Sequence, residues 1–286
     1  MNLAKLKLFA LIGDPVGQSL SPAMHNAAFR ALGLKCAYIA LRVPKPMLAD
    51  AIAGVRGLDV AGLNVTIPHK ISIISLLDEL DESANLVGAV NTVKNNRGKL
   101  IGFNTDGEGA LRALEEKIGS VKGKEVVLLG AGGAARAIAF SLARAGARLT
   151  IANRTVPRAQ ALASAVEQKL STNVKVASLN RAELTKALKN VDVLINATSV
   201  GMHPKIDKTL VRANMMRRGL VVYDIVYKPL RTKLLREARR AGGKTIDGLG
   251  MLVHQGALAF EIWTGKRAPI KIMKAAAKRE LRGENR

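Results

Sequence analysis

Cysteine, aromatic side chains and acidic residues are all scarce in this chain. Of 286 residues one is cysteine, Cys36, so no disulfide can close within a single chain and no thiolate cluster can hold a metal. Aromatic residues amount to 3% of the sequence, too few for a base-stacking platform, and no nucleic-acid-binding motif accompanies them. No apolar run reaches the roughly eighteen residues of a membrane-spanning helix. The opening MNLAKLKLFALIGDP lacks a small-residue cleavage site and reads as the approach to a first strand, so a cytoplasmic protein is expected. Asp and Glu number 22 against 45 Lys and Arg, a formal charge of +23. The excess is spread along the chain without a dense basic tail. It suits an anionic substrate and a phosphate-rich cofactor, and no nucleic-acid partner is expected.

What is present is organised around Glu125 to Thr155. Glu125 to Leu129 is an apolar run of strand length that stops at Gly130-Ala131-Gly132-Gly133, after which Ala134 to Ala145 repeats apolar residues at helical spacing. Gly146 ends that helix and Arg148 to Ala152 supplies a second strand. A crossover unit of about thirty residues is the framework of a dinucleotide site. Gly130 permits the tight turn, Gly132 lets backbone N–H groups approach a pyrophosphate, and Ala135 stands at the third, tightly packed position. The anion would rest on the helix N-terminus beside Gly133 and Ala134. The second strand ends without the carboxylate that usually bonds an NAD ribose. In its place stand Asn153, Arg154, Thr155 and then Arg158, groups suited to a 2′-phosphate, so NADP is the expected cofactor.

The remainder alternates strands and helices, which predicts an α/β protein of two domains. Strands are expected at Leu6 to Gly13, Ala37 to Arg42, Gly62 to Ile67, Val174 to Ala177, Asp192 to Asn196 and Val221 to Ile225, and a hairpin over Gly88 to Lys94 and Lys99 to Phe103. Helices are expected at Ser21 to Ala31, with Ser21 as N-cap, at Pro46 to Val55, from near His69-Lys70, and at Glu108 to Ile118. Residues 1–106 then form an N-terminal α/β substrate domain, 107–247 a Rossmann-type NADP-binding domain, and 248–286 C-terminal helices that return to the first domain.

Several polar residues of the first domain stand at element ends, where they can converge. Ser19 and Ser21 precede or open a helix, and hydroxyls there can hold a carboxylate. Asn64 and Thr66 share one face of their strand, which leads toward Lys70. A lysine in a helix's first turn opposes the dipole, and proton transfer is one reason to place it there. Asn91 and Asp106 lie at further strand ends. Together the set suits a small polyhydroxylated acid.

The runs Ser19-Leu20-Ser21-Pro22, Asn64-Val65-Thr66-Ile67-Pro68-His69-Lys70, Gly88-Ala89-Val90-Asn91-Thr92, Asn104-Thr105-Asp106-Gly107, Gly130 to Ala135, Asn153-Arg154-Thr155 and Met251 to Gln255 span nearly the whole chain. In that order they resemble the shikimate dehydrogenases of the shikimate/quinate dehydrogenase family. The resemblance implies reversible, NADPH-dependent reduction of 3-dehydroshikimate to shikimate on the route to chorismate and aromatic amino acids. It implies Lys70 and Asp106 as the catalytic pair, Ser19, Ser21 and Thr66 on the substrate carboxylate, Asn64, Asn91 and Gln255 on ring hydroxyls, and Tyr227 as a further substrate contact. Cofactor contacts would come from Gly130, Ala131, Gly132, Gly133, Ala134, Asn153, Arg154, Thr155, Arg158, Ile225 and Gly248, with no metal. The expected partner is the small-molecule substrate, with no membrane and a monomeric or homodimeric protein. The alternatives are a quinate/shikimate dehydrogenase using NAD(P) and a non-catalytic nucleotide- or nucleic-acid-binding protein on the same fold.

Overall fold

The computed structural model describes residues 6–283, and the chain divides into two compact units. One comprises the residues up to Thr105 together with those from Val253 onward; the other is Asp106–Leu252. Among the described residues no helix is long and apolar enough to cross a membrane.

The first unit is built on six strands: β1 (Lys7–Gly13), β2 (Cys36–Arg42), β3 (Gly62–Val65), β4 (Glu79–Leu80), β5 (Thr92–Asn96) and β6 (Lys99–Phe103). They are ordered β2-β1-β3-β5-β6-β4. β1 runs parallel to β2 and β3, whereas β5 lies antiparallel between β3 and β6. Helices α1 (Ser21–Ala31), α2 (Leu48–Gly57) and α3 (Glu82–Val87) connect them. Alternation along β1 sends Ala10 and Ile12 into a core with Leu48, Ile52 and Val55 of α2, and turns Phe9 the other way onto Phe29 of α1.

In the second unit α4 (Asp106–Ile118) precedes β7 (Glu125–Leu129), α5 (Gly133–Arg144), β8 (Arg148–Asn153), α6 (Val156–Leu170), β9 (Val174–Ser178), α7 (Arg181–Ala187), β10 (Val193–Asn196), β11 (Val221–Asp224), α8 (Lys233–Arg240) and β12 (Lys244–Ile246). The sheet is parallel throughout, in the order β12-β11-β10-β7-β8-β9. Covered on both faces, its central strands are uniformly apolar, with Val126 to Leu129 and Val193 to Ile195 all buried. The strand order reverses between β7 and β10, and a doubly wound sheet opens its ligand crevice at that reversal. Gly107 lets α4 lie against α5, because a Cβ there would overlap the Ala137 carbonyl and the Ser141 hydroxyl.

The chain ends in α9 (Leu249–Thr264) and α10 (Ile270–Gly283). In the first unit α10 packs on α1, and Trp263 of α9 inserts beneath the sheet, its indole N–H donating to the Val93 carbonyl at 2.9 Å. A Cβ at Gly62 would overlap that indole.

Two local expectations are corrected. No α-helix begins at His69-Lys70: residues 70–73 form turns that lead only to a 3-10 turn at Ile74–Leu76, and the Lys70 carbonyl that would continue a helical ladder instead accepts from the Val90 N–H at 2.7 Å. The dipole argument for Lys70 therefore does not apply. Ser21 is not a cap. Leu20 holds that position without a side-chain bond, and Ser21 is already helical. The helical stretch expected at Pro46 to Val55 is present, opening with a short 3-10 turn, Lys45–Met47, that runs into α2. Sequence periodicity also missed β4, α3 and β12, all six residues or shorter.

Candidate active site

In the first unit the ends of β3, β5 and β6 carry a buried polar network. Asn64, the third residue of β3, directs its side-chain NH2 to the Asn91 carbonyl at 3.2 Å and to Thr92 Oγ1 at 3.1 Å, and its Oδ1 accepts from Tyr38 Oη at 2.7 Å. Asn91 Oδ1 accepts from the Thr105 backbone N–H at 2.8 Å and from Thr92 Oγ1 at 3.1 Å. Its NH2 reaches Thr105 Oγ1 at 2.9 Å and Gln255 Oε1 at 3.4 Å. Every polar atom of this network that is withdrawn from water has a partner, which fixes the side-chain orientations.

The Lys70 loop is tied to the same network. Its carbonyl holds Val90 N–H, one residue before Asn91, and the Asn91 carbonyl in turn accepts from Val65 N–H at 2.8 Å. His69 is buried, and its Nε2 lies 2.7 Å from the Val43 carbonyl, anchoring the loop beyond β2. Lys70 is half-buried. Thr66 is half-buried beside Gly13, where a Cβ would overlap the Thr66 methyl. Ser19 Oγ accepts from the Ser21 N–H at 3.2 Å, and the Ser21 side chain lies beside the Tyr38 phenol. The structure thus brings Ser21, Asn64, Asn91 and Gln255 into one region of the first unit, with Thr66 and Lys70 on the adjoining loop. Asp106 follows Thr105 directly and opens α4 in the second unit, buried.

In the second unit the glycine turn lies where the strand order reverses. Gly130 takes φ +112°, accessible to glycine, and its N–H donates to the Ala152 carbonyl of β8 at 2.8 Å. A Cβ on Gly130 would meet the Ala197 carbonyl at 3.0 Å, whereas one on Gly132 would have no neighbour within 4 Å. Open space therefore lies over Gly132, at an α5 N-terminus that no side chain caps. Ala131, Gly133 and Ala134 are half-buried around it. Asn153 ends β8 half-buried, its NH2 on the Thr155 carbonyl at 2.9 Å, while Arg154, Thr155 and Arg158 are exposed. These features fit a dinucleotide with a 2′-phosphate: backbone donors and a helix end for the pyrophosphate, exposed cationic forks for the phosphate, and no carboxylate to repel it.

Ile225 follows β11, and Gly248 is pressed against its carbonyl so closely that no Cβ would fit. Tyr227 is half-buried in the same loop. This loop is held by groups that sequence reading missed. Asp224 is fully buried, its Oδ2 accepting from Thr232 Oγ1 at 2.6 Å and its Oδ1 from Asn196 Nδ2 at 2.9 Å and Val226 N–H at 3.1 Å. Burial pushes its carboxyl up to about 6, against the lowering by those three donors. Tyr38, Thr92 and Thr105 were likewise missed. The available signal was the placement of Asp224 and Thr105, polar groups at or just beyond the ends of apolar strands.

Comparison with known proteins follows this division. Residues 11–93 match the shikimate dehydrogenase substrate binding domain, 112–229 the shikimate / quinate 5-dehydrogenase family, and 248–278 the shikimate 5′-dehydrogenase C-terminal domain. The shikimate dehydrogenase (NADP(+)) of Methanopyrus kandleri is 51% identical over 282 residues, covering 98% of this chain and 97% of that protein. Among solved structures, a shikimate dehydrogenase in complex with NADP+ superposes with a TM-score of 0.93 at 50% identity, covering 97% of this chain and 96% of its own. The shikimate 5-dehydrogenase of Thermus thermophilus in complex with NADP(H) and shikimate gives 0.87 at 40% identity, covering 96% and 99%.

Proposed function

The chain belongs to the shikimate dehydrogenase family, and from that premise we propose that it interconverts 3-dehydroshikimate and shikimate with NADP as its cofactor. It is an oxidoreductase of aromatic amino acid biosynthesis. The observation that carries the site reading is the run of hydrogen bonds from the Lys70 carbonyl through Val90 and Asn91 to Thr105, the residue before Asp106.

NADPH, when bound, supplies the hydride to the ring carbonyl carbon. Gly130 to Ala134 and the α5 N-terminus hold its pyrophosphate, Arg154 and Arg158 with Asn153 and Thr155 hold the 2′-phosphate, and Ile225 and Gly248 complete the contacts. Lys70 meets the negative charge that grows on the carbonyl oxygen and gives that oxygen its proton from Nζ; Asp106 attracts and orients the ammonium. Ser19, Ser21 and Thr66 take the substrate carboxylate. Asn64, Asn91 and Gln255 take ring hydroxyls, and Tyr227 adds a substrate contact. Held in this way, the carbonyl is presented in one orientation, which is where much of the rate gain of such a site arises. We place the enzyme in the cytoplasm as a monomer or homodimer, a state that light scattering measures.

The test is reduction of NADP followed by absorbance with shikimate as substrate, with quinate and NAD in parallel. Lys70→Ala is expected to lower kcat by about 10² to 10⁴-fold with a small change in KM. No turnover of shikimate by the wild-type protein would overturn the reading, and equal efficiency with quinate and NAD would move it to a quinate/shikimate dehydrogenase.

A further inference from the structure

Tyr38 belongs to no part of the reaction described above, yet its phenol ends on Asn64. The amide orientation of Asn64 is determined by its surroundings. The Asn91 carbonyl, 3.2 Å from one amide atom, can only accept, so that atom is the NH2. Thr92 Oγ1 gives its own hydrogen to Asn91 Oδ1 and so accepts the second hydrogen of Asn64. Asn64 Oδ1 then faces Tyr38 Oη at 2.7 Å, and the phenol must be the donor. Both amide hydrogens are committed, and the capacity left on Asn64 is the second lone pair of Oδ1.

Tyr38 is held firmly enough to impose this. Its backbone N–H donates to Asn26 Oδ1 at 2.9 Å and its carbonyl accepts from Asn26 Nδ2 at 2.8 Å. Its fully buried ring stacks on His25, with centroids 4.5 Å apart and planes 12° from parallel. We propose that Tyr38 is a positioning residue that locks Asn64 as an acceptor, so that the site takes a substrate hydroxyl at Asn64 and turns away a carbonyl oxygen there. The proposal rests on the substrate reading above. A ring bearing one ketone and several alcohols is then driven to dock with an alcohol at Asn64, which leaves the ketone for Lys70.

The experiment is steady-state kinetics of the full chain carrying Tyr38→Phe, Asn64→Ala, or both. Tyr38→Phe is expected to raise KM for shikimate about tenfold while kcat and KM for NADP stay within about threefold, the loss of one buried donor. Added to Asn64→Ala it is expected to change nothing further, because its effect passes through Asn64. Additive effects, an unchanged KM, or parallel losses for both substrates would overturn the proposal. A second measurement avoids substitution altogether: wild-type protein is offered shikimate analogues in which each ring hydroxyl in turn is replaced by methoxy or hydrogen. At one ring position both replacements should weaken binding about tenfold, whereas methoxy binding as tightly as hydroxyl at every position would refute an acceptor-only Asn64. Wild-type protein inactive on shikimate would sink the reaction reading itself, whereas an active wild type indistinguishable from Tyr38→Phe sinks this proposal alone.

Discussion

Asp224→Asn tests the physical account of the second unit most directly. In the folded protein burial lifts the Asp224 carboxyl from its ordinary 3.8 to about 6. The gap between those values corresponds to about 3 kcal/mol of differential proton binding. Because the folded value is the higher one, the folded state binds the proton more tightly. Below about pH 3.8 the group is protonated in both states and costs nothing; above about pH 6 the folded protein carries a buried anion and bears the whole cost. The contribution of this residue therefore becomes more favourable as pH falls from about 6 to about 4, opposite to the usual carboxylate. Asparagine does not titrate; with its Oδ1 kept on Asn196 Nδ2 and the Val226 N–H, its NH2 faces Thr232 Oγ1, which must turn to accept, and whatever that exchange costs is the same at every pH. Relative to the variant, wild type should thus gain up to about 3 kcal/mol between neutral pH and pH 4. Carboxylates such as the half-buried Asp14 and the exposed Asp78, held below their ordinary range by arginine partners, act equally in both proteins and cancel. Guanidinium unfolding followed by circular dichroism at a series of pH values measures the difference. A difference that stays constant, or that slopes the other way, would refute the argument.

Two further outcomes follow from geometry already described. Replacing Arg154 and Arg158 together by serine is expected to remove at least about tenfold, roughly 1.4 kcal/mol, of the preference for NADP over NAD, read as the ratio of kcat/KM values. Because both side chains are exposed, the wild-type preference should also shrink as salt is added, and a preference unchanged by the substitutions would exclude them from the 2′-phosphate site. Gly107→Ala inserts a methyl group where the Ala137 carbonyl and Ser141 hydroxyl already sit, so α4 must move off α5 at a cost of about 1–3 kcal/mol. A thermal midpoint equal to that of wild type would show that the two helices are not packed as described.

The parallel sheet was legible because its strands are apolar throughout and its turns carry glycine: Val126 to Leu129 ahead of Gly130, and Leu149 to Ala152 after Gly146, leave little else to read. The hairpin of β5 and β6 was legible from Asn95 to Gly98, where Arg97 and Gly98 both adopt positive φ. The Lys70 loop was misread because a local pattern cannot anticipate a partner from elsewhere in the chain. Val90 N–H takes the carbonyl that a helix would have used. Ser21 looked like a cap, whereas Leu20 holds that position and Ser21 is already the first residue of the helix. Short elements such as α3 escaped because Asp81 and Gly88, which fix its ends through a side-chain bond to Ser83 N–H and a left-handed φ of 67°, leave only six residues between them. Of the candidate site, the residues with chemistry at their tips could be proposed from sequence, whereas the residues packed behind them could not. Tyr38 and Asp224 look from sequence like ordinary strand positions, and only the fold shows them buried beside other polar groups.

The single tryptophan of the chain, Trp263, lies in the first unit against Phe9, His25 and Tyr38. Its fluorescence is therefore a reporter of one unit only, shifted to the blue by its dry surroundings and fed by excitation passed from the tyrosine ring 6.0 Å away. Emission that reddens with denaturant before the far-ultraviolet signal is lost would mark the loosening of the unit that carries Lys70 and Asn91, while the parallel sheet, dark at that wavelength, stays folded.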